Sequence, residues 1–137
     1  MIKISEKLKF LMAMTKAGAV LARKFHGQGL GFGDFVILYA ITGAPEGKIR
    51  PTDLAEAVGL TASGVTRLIL PLEKIGMVKR MASQRDARIS YVTLTASGQR
   101  IFTDAVKWIE FRCDDLIPDS RGKDLKQATE LFELIAN

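Results

Sequence analysis

This 137-residue sequence is poor in the side chains that most often carry chemistry, with one cysteine, Cys113, and one histidine, His26. A single thiol cannot close an intrachain disulfide, so nothing staples the fold and a reducing, cytoplasmic setting is expected. One histidine and one cysteine give no zinc-ligand spacing, and no nucleophile, base and orienting group stand in a recognisable order. The residues therefore point away from an enzyme and away from a metal or other cofactor. Long apolar runs are missing too. The longest, Phe35 to Ile41, falls far short of the roughly 18 residues that suggest a bilayer crossing, so neither a membrane partner nor a cleavable leader is expected. Acidic, serine-rich and glutamine-rich blocks are absent, and 47% of the residues are hydrophobic. One domain with a core of its own is expected.

What the chain does have is positive charge, unevenly spread. The formal net charge is +5, with a pI near 9.5. Residues 61–90 hold six basic residues against Glu73 and Asp86, a balance of +4, whereas residues 91–137 hold six basic against eight acidic, a balance of −2. The field is centred on the middle of the sequence, as contact with phosphates requires. Charge alone is explained equally well by a solvated basic face.

The spacing predicts a helix from Ile4 to Phe25, with apolar residues returning every three to four positions. Gly27, Gly29, Gly31 and Gly33 then punctuate the chain. A phosphate-cradling loop needs a strand before it and a Lys or Ser/Thr at set spacing after it, so this stretch reads as a plain loop. Phe35 to Ile41 is apolar nearly all round and predicts a buried second helix. Ala44 to Gly47 reads as a turn, followed by a minor strand at Lys48 to Arg50. Pro51 suits the first position of a third helix, whose inner face is Leu54, Ala55 and Val58, and Gly59 suits its end.

Thr61 or Ser63 can cap a fourth helix after the tight Gly59-Leu60 connection. Val65, Leu68, Ile69, Leu72 and Ile75 fall on one face, expected to be the core side. Ser63, Thr66, Arg67, Leu70 and Lys74 fall opposite, on a face rich in hydrogen-bonding groups. Pro71 removes a backbone hydrogen bond and presses on the carbonyl of Arg67, at about 3 kcal/mol in a regular helix, so a bend or early loosening is expected there. Met77 to Met81 and Ile89 to Leu94 predict a hairpin with a polar tip at Ser83 to Ala87. Thr95 caps a fifth helix bearing Ile101, Ala105, Trp108, Ile109 and Leu116, ended by Pro118. Asp119 or Ser120 starts a last helix bearing Leu125, Ala128, Leu131, Phe132 and Ile135. The fold class expected is mainly α with a small β-hairpin: a winged helix-turn-helix flanked by N- and C-terminal helices.

Asp86-Ala87-Arg88-Ile89-Ser90-Tyr91-Val92-Thr93-Leu94-Thr95 matches the pattern D-x-R-x-x-x-V-x-L-T. It resembles the wing signature of the MarR family of winged-helix transcriptional regulators. Thr61 to Leu68, continuing to Glu73-Lys74-Ile75-Gly76-Met77-Val78, resembles that family's recognition helix, and the likeness extends from about Phe32 to Phe102. The resemblance implies a homodimer on double-stranded DNA. In that arrangement residues 1–30 and 96–137 would intertwine with a second copy, and residues 31–95 would form the lobe that binds a pseudo-palindromic operator. It further implies that Ser63, Gly64, Thr66 and Arg67 meet the major groove. Arg88, paired with Asp86, would reach the minor groove or its phosphates, with Arg85 at the wing tip and Lys74 on the same basic face. Gly64 and Pro71 depart from the family's usual residues at those positions.

Repressor action is expected, with release by a small aromatic or lipophilic effector. Trp108, Phe111, Phe25 and Phe35 are candidates to line its pocket, against the plainer reading of helical aromatics as core. Cys113, with Arg112 before it and Asp114 and Asp115 after it, reads as a packing residue rather than a redox sensor. The alternative from another class is a winged-helix module that binds protein without DNA.

Overall fold

Capping residues set the boundaries of most helices in the computed structural model, which describes residues 1–26 and 29–137. Helix α1 (Glu6–Lys24) starts where the Ser5 hydroxyl accepts from the Leu8 N–H, and α2 (Phe32–Gly43) where the Asp34 carboxylate accepts from the Gly31 N–H. Gly27, one of the expected loop glycines, lies outside the described residues. Strand β1 (Lys48–Ile49) precedes α3 (Pro51–Val58), whose first residue is the proline and whose end is Gly59 in the left-handed region at φ 71°. Glycine meets no Cβ penalty in that conformation. Thr61, not Ser63, caps α4 (Ala62–Lys74), accepting from the Gly64 N–H at 3.1 Å. Strands β2 (Val78–Ala82) and β3 (Ser90–Leu94) form the hairpin, and Thr95 caps α5 (Ala96–Leu116). A short 3-10 turn, Asp119–Arg121, leads into α6 (Gly122–Ala136).

The three strands form one antiparallel sheet in the order β1-β3-β2, with Val78 opposite Leu94 and Ile49 opposite Val92. The Thr93 hydroxyl donates to the Gly47 carbonyl at 2.8 Å, tying the base of the hairpin to the turn that precedes β1. One core joins Ile37, Leu38 and Ile41 of α2 to Leu54 of α3, Ile69 of α4 and Val92 of β3, all at or below 1% exposed. Burying these side chains is what holds α3 and α4 at a fixed angle, since an eight-residue helix such as α3 is marginal alone.

Three expectations are corrected. Ile75, placed on the inner face by its period, is 64% exposed, because α4 ends at Lys74 and Ile75 is its C-cap. Helix α4 continues unbroken through Pro71 instead of loosening there. Pro71 and Arg67 are both exposed, so the Arg67 carbonyl that lacks a helical donor can be hydrated. Strand β2 begins at Val78 rather than Met77, whose backbone is committed to other partners. The aromatics named for an effector pocket are not all together: Phe25 is 3% exposed and packs edge-on to Trp108 at 6.2 Å, Phe35 stacks on Phe102 at 5.4 Å, and Phe111 is 72% exposed.

Candidate nucleic-acid interface

The outer face of α4 is built by its cap. Thr61 stops the preceding turn and its hydroxyl lies 3.2 Å from the Ser63 hydroxyl, so Ser63 is held at the exposed N-terminus of the helix. One turn later the Thr66 hydroxyl donates to the Ala62 carbonyl at 3.0 Å, which leaves its lone pairs outward as acceptors. Gly64 is half-buried between them, and a side chain there would crowd the Thr61 hydroxyl. Arg67 and Lys74 are exposed and take part in none of the ion pairs among the described residues. Five donors of an unpaired, planar guanidinium on a helix face suit the paired acceptors of a guanine edge.

The wing tip is organised by its own hydrogen bonds. The Ser83 hydroxyl accepts from the N–H groups of Arg85 and Asp86 at 3.2 and 3.3 Å, and the Ile89 N–H donates to the Asp86 carbonyl at 3.0 Å. The Asp86 carboxylate accepts from the Arg88 backbone N–H, Nε and Nη2, each at 3.0 Å. That fork fixes the guanidinium while Arg88 stays 90% exposed, so its remaining donors face outward. Arg85 is also exposed at the tip and belongs to none of the ion pairs among the described residues.

Hydrogen bonds from the Arg88 side chain and backbone, with a smaller contribution from the charge of Arg50, hold the Asp86 carboxyl below the 3.8 of an ordinary aspartate; the same pair raises Arg88. A depressed folded-state value means the pairing is complete above the unfolded pKa and fades only as pH falls through the folded one. We therefore expect the Asp86 carboxyl, followed by NMR, to titrate with a midpoint below 3.8 and the wing to be unchanged between neutral pH and pH 5. A midpoint at or above that of a free aspartate would show that the fork is not formed.

Sequence reasoning missed the second basic edge. Arg50, the N-cap of α3, brings its charge to bear on Asp86, and Lys48 lies 5.1 Å over the Tyr91 ring while pairing with Glu46 at 3.0 Å. The available signal was their spacing of two, which puts Lys48 and Arg50 on one side of an extended segment. Arg80, by contrast, is held by Glu73 at 3.4 Å, linking β2 to the end of α4. Cys113 is half-buried, and burial first, then the carboxylates of Glu110 and Asp114, raise its thiol pKa, which disfavours the reactive thiolate. Among the described residues no group of three or more His, Cys, Asp or Glu side chains could hold a metal, and no helix is long and apolar enough to cross a membrane.

Comparison with known proteins matches these elements. A family model described as the MarR family fits residues 33–90. The HTH-type transcriptional regulator SarZ of Staphylococcus haemolyticus is 32% identical over 100 residues, covering 72% of this chain and 67% of that protein. The chain belongs to the MarR family. Another relative, the HTH-type transcriptional repressor YetL of Bacillus subtilis, is 32% identical over 84 residues, which are 61% of this chain and only 50% of YetL. Among solved structures, the transcriptional regulator BldR from Sulfolobus solfataricus superposes with a TM-score of 0.81 at 24% identity, covering 97% of this chain and 99% of that one. Sco3205, a MarR family regulator from Streptomyces coelicolor solved in complex with DNA, gives 0.70 at 21% identity, over 97% of this chain and 89% of its own. The winged-helix MarR fold is therefore that of the whole chain, terminal helices included.

Proposed function

We propose that the protein is a homodimeric, sequence-specific DNA-binding regulator of transcription that acts as a repressor on a pseudo-palindromic operator. One observation carries this reading: the unpaired Arg67 on the outer face of α4 and the braced, outward Arg88 on the wing are both exposed. In it, Ser63, Gly64, Thr66 and Arg67 read base edges in the major groove, and Lys74 contacts phosphate. Arg88, oriented by Asp86, enters the neighbouring minor groove, where negative potential attracts guanidinium groups, and Arg85 at the wing tip contacts its phosphates. A family neighbour solved on DNA and a relative named as a repressor support the assignment.

The second copy is assigned to the terminal helices, residues 1–30 and 96–137. Leu8, Leu11 and Met12 of α1 and Leu131, Leu134 and Ile135 of α6 are all exposed, apolar side chains that a second copy would cover. Dimerisation sets the two recognition helices about 34–36 Å apart, one turn of DNA, so both dock at once. A small aromatic or lipophilic effector that shifts this spacing by a few ångströms, roughly a tenth of a turn, releases the operator. Such a protein works in the cytoplasm, beside the DNA it controls.

Selection of bound fragments from random duplex DNA tests the reading. An inverted repeat should be enriched, and log affinity should fall linearly with log salt, by about 0.9 for each phosphate neutralised. A flat salt response with no enriched sequence would favour a protein partner for the wing and α4 instead. Sedimentation as a monomer at micromolar concentration would remove the dimer.

A further inference from the structure

A tightly constrained point lies where the end of α4, β2 and the start of α5 meet at the Gly76-Met77 peptide. Met77 is 2% exposed, and its N–H donates to the Leu72 carbonyl in α4 at 2.9 Å. Its carbonyl accepts from the Thr95 N–H at 3.0 Å. The Thr95 hydroxyl lies 2.5 Å from the Gly76 carbonyl and 3.3 Å from that of Met77, while the Gly98 N–H donates to the same hydroxyl oxygen at 3.0 Å. The next residue, Val78, opens the β2–β3 ladder opposite Leu94, the residue before Thr95. Recognition helix, wing and α5 therefore all depart from one hydrogen-bonded knot.

Gly98 makes the knot tight. It is buried in the first turn of α5, and a Cβ on it would overlap the Met77 carbonyl oxygen, a backbone atom that cannot swing aside. Its backbone is not in the left-handed region, so turn geometry does not demand glycine. Glycine is unfavourable inside a helix. What requires it is the closeness of α5 to the end of α4.

We propose that Thr95 and Gly98 are positioning residues for operator binding, locking α5 to the Gly76-Met77 peptide so that recognition helix and wing turn with α5 as one body. The inference rests on the DNA-binding reading above and adds to it a named joint. Helix α5 belongs to the part assigned to the second copy, and α4 to the part assigned to DNA. A rigid joint passes any rotation of α5 to α4 without slack, and a loose one lets each recognition helix find its half-site independently.

Three variants, Gly98→Ala, Thr95→Val and Thr95→Ser, test the joint in the full chain against wild type. Each is measured for melting, sedimentation, affinity for the selected operator, affinity for operators with one base pair inserted or deleted between half-sites, and affinity for random duplex. Wild type should discriminate sharply between spacings. Gly98→Ala and Thr95→Val should lose about tenfold or more on the native operator, the scale of a mismatched base pair, and should tolerate altered spacings better. Their affinity for random duplex and their sedimentation should stay those of wild type, and Thr95→Ser should restore both affinity and spacing preference. If Gly98→Ala fails to fold, Thr95→Val against Thr95→Ser decides the matter. Variants that keep the wild-type spacing preference would overturn the joint, whereas a wild type that selects no duplex at all would overturn the operator reading instead.

Discussion

Replacing Arg67 by alanine is expected to lower affinity for the selected operator by about five- to 150-fold, the worth of one bidentate base contact of roughly 1–3 kcal/mol. The side chain is exposed and belongs to none of the ion pairs among the described residues, so its removal leaves no buried partner unsatisfied and the fold should be intact. Melting and sedimentation should match wild type. Discrimination at the base position that Arg67 reads should relax, while the slope of log affinity against log salt should hardly change, because a base edge carries no phosphate charge. Arg85→Ala should do the reverse, flattening the slope by about 0.9 with little effect on which sequence is chosen. An Arg67→Ala protein that binds the same operator with unchanged affinity would take the recognition face out of the account.

Leu54→Ala is expected to be the most damaging single truncation. Leu54 is fully buried and joins α3 to the side chains of α2 and α4 in the central cluster. Deleting a buried leucine costs about 2–5 kcal/mol, against a total of about 5–15 kcal/mol for a typical domain. The urea midpoint should fall steeply with the slope m unchanged, since the same surface is exposed on unfolding. Operator binding should weaken along with it, because α3 is the support on which α4 is held out from the core. An unaltered midpoint would mean that the lobe is not organised around this residue.

Local chemistry made much of the fold legible in advance. Pro51 at a helix start, Gly59 at a helix end, Thr61 and Thr95 as caps, and the polar tip between two alternating strands each have a short-range cause, and each stands where the residues implied. Features with a long-range cause were hidden. Gly98 gave no signal because the atom that excludes a side chain is 21 residues back, in Met77. The pairing of β1 with β3 joins residues about as far apart as Lys48 and Thr93, beyond what alternation in either segment can announce. Ile75 shows the opposite error, a helical period extended one residue past the point where the helix stops. At the candidate site the exposed hydrogen-bonding face of α4 could be read from periodicity, but the brace on Arg88 and the reach of Arg50 depend on how the chain folds back.

Neither α1 nor α6 contains a single buried residue within its own chain, and the ring stacking of Phe10 on Phe132 at 5.8 Å is a slender tie between them. Segments so weakly protected open readily and offer themselves to proteases. A sister chain covering them, as proposed above, would turn survival into a matter of numbers, because paired molecules increase with the square of the dilute pool. Under the proposed dimer, newly made copies would be short-lived until they are abundant enough to meet one another, and occupancy of the DNA site would set in as a threshold in dosage rather than in proportion to synthesis.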